Sequence, residues 1–354
     1  MKKNIILLFM GIVLFACSND DKVLDVQQET KGLVFDIAAK TQLTDTKSNG
    51  TPVYSQDASQ SITRVSILAF KNNGTDYYYT KTYEISGWIA GSTFKSFTVP
   101  DADKLPEGRY NFLAIGRDAT DLYQINPALS STTKMGDITA AIALSGDEYE
   151  LFSDTVQNDS VYAEGTRINL TMTRKIAGVL GYFKNVPQIL NGQTVRYLRL
   201  TTNAGNKDVV VASGIGSSRD IGYDIINIDL STQSVTDGIY TGNTTPAGVV
   251  KLANSQLAGA YMLPIDNLIL TLGLYDENNI AIKTWQVSEG ASTTFNILPN
   301  HFYSLGVKQK PDSTTGTNPT DPGDDDEAID LLQDQVITIT IDPAWNTIHP
   351  LVIQ

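Results

Sequence analysis

The sequence runs to 354 residues, with 26 Lys and Arg against 39 Asp and Glu, a formal charge of -13, and 41% hydrophobic residues. That length supplies two cores of ordinary domain size, and the charge argues against nucleic acid or anionic lipid as a partner of the folded body. A single cysteine excludes a disulfide framework and a cysteine-based metal site.

The chain opens on Met1-Lys2-Lys3, a positive start, followed by an apolar run over residues 5–15 that is too short to span a bilayer as an ordinary helix. Ala16 then places a small residue before Cys17. This is the pattern of a secretory signal peptide, residues 1–16, ending in a lipoprotein cleavage site. A lipid transferase must reach an unhindered thiol, and the peptidase cuts beside the small residue, so Cys17 becomes the lipidated N-terminus. Phe15 departs from the small residue usual at its position. Ser18-Asn19-Asp20-Asp21 is polar and acidic, and resembles the export signal that follows the cysteine in surface lipoproteins of Bacteroidetes. Residues 17–31 then read as a tether, and the expected location is the outer membrane, surface-exposed, held through lipid on Cys17.

Residues 32–38 read as a first strand, and the Thr-, Ser- and Asp-rich stretch 40–60 as a loop. Strands over 62–70 and 77–85 flank Asn72-Asn73-Gly74, a hairpin signal because glycine supplies the positive φ of a tight turn. Further strands are expected at 94–99 and 110–115. From 119 to 144 the pattern weakens, with room for a short helix between 135 and 143. Glu150-Leu151-Phe152 precedes an acidic loop, and Ile168, Leu170 and Met172 then alternate with polar neighbours as in a half-buried strand, continued through 174–183. Strands at 195–201, 209–211, 225–230, 260–263, 268–275, 280–287, 294–298 and 302–308 follow, with Asn278-Asn279 as a second hairpin turn. Short strands at this spacing argue for sandwiches rather than alternating β and α units.

Residues 310–327 break the composition with Pro311, Pro319, Pro322 and an acidic run at 324–327, the signature of an exposed linker. Beyond it lies a strongly β-prone segment, 335–354. Ile337, Ile339 and Ile341 share one face of a period-two pattern, and Leu351 and Ile353 continue the apolar tail. Two placements are open: the strand folds back into its own domain, or it pairs with the open sheet edge of a neighbour as a donated strand.

Several segments together resemble the FimB/Mfa2-type fimbrial subunits of Bacteroidales, the lipoproteins of type V pili. They are Cys17 with its preceding segment, residues 62–70, Glu107-Gly108-Arg109-Tyr110, Glu150-Leu151-Phe152, the 170–177 strand, Asn300-His301-Phe302-Tyr303 and Ile341-Asp342-Pro343-Ala344-Trp345. The resemblance implies an all-β fold of two transthyretin-like β-sandwich domains in tandem, here 32–165 and 166–354. It also implies a role as anchor or accessory subunit, with other pilus subunits as partners. Its stalk relatives are cut after Arg or Lys by a trypsin-like protease, which removes the first strand. Lys40, Lys47 and Arg64 are the candidates here, Lys40 and Lys47 in the loop after the first strand and Arg64 at the start of the next. Uncut, the chain keeps its lipid and fills its own groove, as a base subunit must; cut, it is a polymerising stalk or tip pilin.

Enzyme chemistry finds little support. The two histidines, His301 and His349, are far apart, and no hydrolase, zincin or phosphate-loop motif occurs. Asp147-Glu148 is a carboxylate pair in a Gly-flanked turn, where solvation is the ordinary role. No cofactor and no metal centre are expected. A surface lipoprotein binding glycan is the remaining alternative, with Tyr77, Tyr78, Tyr79, Tyr83 and Trp88 as stacking candidates; any host or bacterial surface ligand is unidentified.

Overall fold

The computed structural model describes residues 32–39, 62–118, 122–145, 148–241, 253–306, 328–333 and 336–342. Among these the protein is all-β, with single-turn 3₁₀ segments at Asp101–Asp103 and Met135–Asp137. No helix among them is long and apolar enough to cross a membrane.

The first sandwich begins with β1 (Leu33–Ala39), β2 (Arg64–Asn72), β3 (Tyr77–Ile85), β4 (Phe94–Thr98) and β5 (Gly108–Arg117). Two short strands follow, β6 (Gln124–Asn126) and β7 (Thr139–Ala141), then β8 (Leu151–Val161) and β9 (Thr166–Arg174). The order across the sheet is β3-β2-β5-β8-β9-β1-β4. It folds on itself between β8 and β9, which share only the pairs Phe152↔Arg174 and Ser153↔Thr173. The inward residues of β1 and β9 therefore face those of β2 and β5. Phe35, Ile37, Ile67, Phe112, Ile168 and Met172 are fully buried there, and the Phe35 ring lies 5.3 Å edge-on from Phe112 and 5.5 Å from Tyr83. The β2–β3 hairpin turns where Asn73-Gly74 was expected to turn it. Gly74 sits at φ 103°, and the Asn73 side chain accepts the Thr75 and Asp76 amides at 3.1 and 3.0 Å.

Three local expectations are corrected here. The helix sought between 135 and 143 is a single 3₁₀ turn followed by β7. The acidic loop after Phe152 is instead the continuation of β8 to Val161, one face of which is solvated, so Asp, Asn and Ser are tolerated along it. The 174–183 stretch does not continue β9. The chain breaks at Lys175-Ile176 and starts β10 (Ala177–Lys184) in the other sandwich, so the first sheet runs past residue 165 to Arg174.

The second sandwich repeats the first, strand for strand. In the first, β1 pairs parallel with β9 and antiparallel with β4; β2 pairs with β3 and β5; and β5 pairs with β8. In the second, β10 pairs parallel with Phe302–Leu305 and antiparallel with Ser255–Met262. Tyr197–Thr202 pairs with Asp224–Asp229 and Leu270–Tyr275, and Leu270–Tyr275 with Ala281–Ser288. The difference lies at the fold line. Where β8 meets β9 directly, the second sandwich inserts the C-terminal strand Ile337–Asp342, parallel to Ala281–Ser288 and antiparallel to Phe302–Leu305. Connection length makes this possible: residues 162–165 join β8 to β9, whereas the longer 289–301 joins the corresponding strands and leaves a strand's width between them.

The two sandwiches are stitched together. β6 pairs with β7, β7 with Asp208–Val210, and that strand with Ile215–Gly216, a four-stranded sheet drawn from both halves. Around it Leu68, Phe70, Leu113, Ile115 and Leu151 meet Ile176, Val209, Val211 and Leu263 in one buried cluster. This explains why β2 and β5 carry unbroken apolar runs, Ile67-Leu68-Ala69-Phe70 and Phe112-Leu113-Ala114-Ile115: one face fills the sandwich and the other the junction. Arg174 and Glu150 form a buried ion pair at 2.8 Å beside it, the guanidinium 4.9 Å over the Phe152 ring. Replacing one partner strands the other charge away from water, so Glu150→Leu should lower stability by about 3–5 kcal/mol, and Glu150→Leu with Arg174→Met should recover most of it. Urea titrations of the three proteins check this; equal losses in the single and double variants would contradict it.

Candidate functional site

The strands on which assembly would turn are the first and the last. β1 lies between β4 and β9 along its whole length, Val34 to Ala38 against β4 and Leu33 to Ala39 against β9. Asp36 on β1 forms an ion pair with Arg167 on β9, and the Val99 amide donates to the Leu33 carbonyl at 2.8 Å. Its Phe35 and Ile37 side chains have no exposed surface. Removing β1 would uncover both neighbouring edges and a row of apolar pockets between the layers.

The C-terminal strand has its alternation as read from sequence. Ile337 and Ile339 are 2% and 4% exposed, Ile341 is half-buried, and Thr338 and Thr340 face outward. Val336, before the strand, is exposed. The core these isoleucines fill belongs to their own chain, together with Trp285, Val287 and Leu305, and the Ser288 hydroxyl donates to the Ile337 carbonyl at 3.3 Å. In the single chain, Ile337–Asp342 pairs with Ala281–Ser288 and Phe302–Leu305 of its own sheet. Leu351 and Ile353 lie outside the described residues.

So do Cys17, Lys40 and Lys47. Arg64 is described. It opens β2 opposite Arg117 of β5, its own side chain exposed but its neighbours Ile62 and Val65 buried, and the Thr63 amide donates to the Arg117 carbonyl at 3.0 Å. A protease needs its substrate extended and unpaired, and the backbone at Arg64 is extended but already paired with β5.

The aromatic platform considered for sugars is not assembled. Tyr83 and Trp88 are 4% and 3% exposed within the first core, while Tyr77 and Tyr79 pack half-buried against the junction, the Tyr77 hydroxyl donating to Asn158 at 2.6 Å. Tyr77, Tyr79 and Tyr83 have the same parity along β3, yet a bulge that shifts the β2–β3 register between Ala69 and Phe70 sends Tyr83 to the first core and Tyr77 and Tyr79 to the junction. Glu148 is likewise not a solvated turn residue: it is 6% exposed and accepts the Tyr223 hydroxyl at 3.1 Å. Burial, reinforced by that carboxylate, pushes the Tyr223 phenol well above its ordinary range. Asp147 lies outside the described residues.

One cleft adjoins the C-terminal strand, with a volume of about 620 Å³. Asn267, Glu289, Ser292, Thr294, Asn296 and His301 line it, over Phe295, Leu298, Tyr303 and Ile341. Its floor is fixed by Tyr303, whose hydroxyl donates to the Asn296 carbonyl at 2.9 Å and accepts the Leu298 amide at 2.8 Å. Burial pushes that phenol up to about 12. His301 stacks on the Tyr303 ring at 6.3 Å, with Nδ1 2.9 Å from the Pro299 carbonyl. Sequence reasoning passed over this site because its walls come from distant segments with no motif spacing.

The family model for fimbrillin-A associated anchor proteins Mfa1 and Mfa2 matches residues 38–300. The chain belongs to that family. No curated protein sequence matches it. Among solved structures, this member of the family is similar to the fimbrial anchor protein Mfa2 of Porphyromonas gingivalis, at 14% identity and a TM-score of 0.42, over 78% of this chain and 91% of that one. It is similar to the C-terminally truncated tip fimbrial protein Mfa3 of the same organism at 10% and 0.36, over 79% and 95%. A cell adhesion candidate from Parabacteroides distasonis gives 13% and 0.46, over 89% and 96%. Membership makes this a pilus-associated protein of the cell surface, with other fimbrial subunits as partners and a family role that is structural rather than enzymatic.

Proposed function

We propose that this chain is the base subunit of a fimbria, held on the outer membrane by lipid on Cys17 and keeping its own first strand. The observation that carries the reading is the seat of β1: paired on both sides and buried through Phe35 and Ile37, it fills the strand position between β4 and β9 that its removal would open to a neighbour. A subunit that ends a fibre at the membrane needs that position filled, whereas a stalk subunit must vacate it.

Mass spectrometry of the protein taken from cells tests it. An acylated Cys17 at the N-terminus is expected; a new N-terminus after Lys40, Lys47 or Arg64 would make the chain a polymerising stalk or tip pilin instead. Cys17→Ser should move the protein from the membrane pellet to the soluble fraction, since acyl chains are the only attachment proposed and each buried CH₂ contributes about 0.8 kcal/mol. Sedimentation of the variant with membranes after a high-salt wash would overturn the lipid anchor.

A further inference from the structure

We propose that the cleft beside the C-terminal strand binds a neutral oligosaccharide. The comparison of the two sandwiches isolates it. Most of its lining, from Glu289 to His301, comes from the connection that stands where the first sandwich has only residues 162–165. The added residues make room for the C-terminal strand and, beside it, wall this cleft.

Its chemistry points to the ligand class. Glu289, Ser292, Thr294, Asn296 and Asn267 are all exposed, and they offer a carboxylate, the Thr294 hydroxyl and amides within one concavity, the Ser292 hydroxyl being held by the Thr294 backbone. The Asn267 amide N–H already takes the Asn296 side-chain oxygen at 3.0 Å, which leaves the Asn296 amide nitrogen as a donor. Among the described residues, no hydrogen bond or ion pair takes up the Glu289 carboxylate or the Asn267 side-chain amide. With Nδ1 of His301 engaged by the Pro299 carbonyl, Nε2 is the ring nitrogen left for a ligand. Leu298 and Ile341 add apolar surface between these groups. A sugar is the ligand whose hydroxyls both donate and accept while its carbon face is apolar. Among the described residues no Lys or Arg lines the cleft, and Glu289 repels anions, so a sialylated, sulfated or phosphorylated glycan finds no counter-charge among them. The volume falls inside the range of roughly 300–1,000 Å³ usual for small-molecule sites. The Tyr303 hydrogen bonds hold the walls in place before any ligand arrives, which lowers the ordering cost of binding.

The test is a glycan array probed with the full chain. It carries linear di- to hexasaccharides of glucose, galactose, mannose and N-acetylglucosamine, with sialylated and sulfated glycans as the acidic arm. Neutral glycans should bind, with affinity falling at least tenfold in Glu289→Ala and in Asn296→Ala. Thr294→Ala is held as a further cleft variant should either misfold, and Tyr77→Ala, far from the cleft, should bind normally. The substituted cleft positions are exposed, so melting temperatures should stay at the parent value. Failure of every neutral glycan to bind, binding confined to the acidic arm, or neutral binding that survives the cleft variants would each overturn the assignment. None of these outcomes bears on the base-subunit reading, which rests on β1 and Cys17.

Discussion

Truncating the chain after Glu327 should lower its melting temperature sharply or abolish soluble expression. The lost segment carries Leu331, Ile337 and Ile339, all at most 4% exposed and all in the second core. Burying each contributes about 1.5–3 kcal/mol, so three together approach the 5–15 kcal/mol that holds a typical domain folded. The truncation also unpairs the backbone of Phe302–Leu305 along the edge where Ile339 to Asp342 now lie. A donated strand makes the opposite forecast. If the strand's working place is a neighbour's sheet, the truncated monomer keeps the parent's melting temperature and fails only to join a fibre. Differential scanning calorimetry of the two proteins decides between them, and an unchanged transition would remove the strand from its own domain's ledger.

The second large effect concerns β1. Phe35→Ala should destabilise the protein by about 3–5 kcal/mol, the usual penalty for deleting a fully buried phenylalanine. Phe35 has no exposed surface and its ring meets Tyr83 and Phe112 from across the sandwich, so neighbours on two other strands lose contact at once. Phe94→Ala on the adjoining strand β4 provides the contrast: that side chain is 60% exposed, and the substitution should stay within about 0.5 kcal/mol. Urea unfolding monitored by tyrosine and tryptophan fluorescence measures both. Similar midpoints for the two variants would mean that β1 does not contribute to the core as its packing implies.

Much of the architecture was legible in the residues because local chemistry and final environment agreed. Asn73-Gly74 turned the β2–β3 hairpin, Ile168, Leu170 and Met172 went inward together, and Ile337 and Ile339 kept their period of two. Legibility failed where the environment is set by a distant partner. The segment Ser153-Asp154-Thr155 through Ser160 has poor strand propensity, yet it is held in β8 by its ladder to β5. Trp88 looked like a surface aromatic because nothing near it in sequence announces the core it enters. The split at Lys175-Ile176 was hidden for a related reason: β9 and β10 both read as strands and are nearly contiguous, and only their partners show that they belong to different sandwiches. The cleft was invisible because Asn267, the 289–301 connection and Ile341 meet only after both sheets form.

The sheet shared by the two sandwiches has a mechanical consequence. A fimbrial subunit carries tension along its length, and a tandem protein with a bare hinge between its halves would bend there under load. Here β7 is laced to Asp208–Val210 by backbone pairing, the Val211 amide reaches the Ile138 carbonyl at 2.9 Å, and the Ile142 amide reaches the Lys207 carbonyl at 2.7 Å. Tension entering one sandwich passes to the other through these bonds and the packed residues around them, so the joint behaves as a weld rather than a pivot.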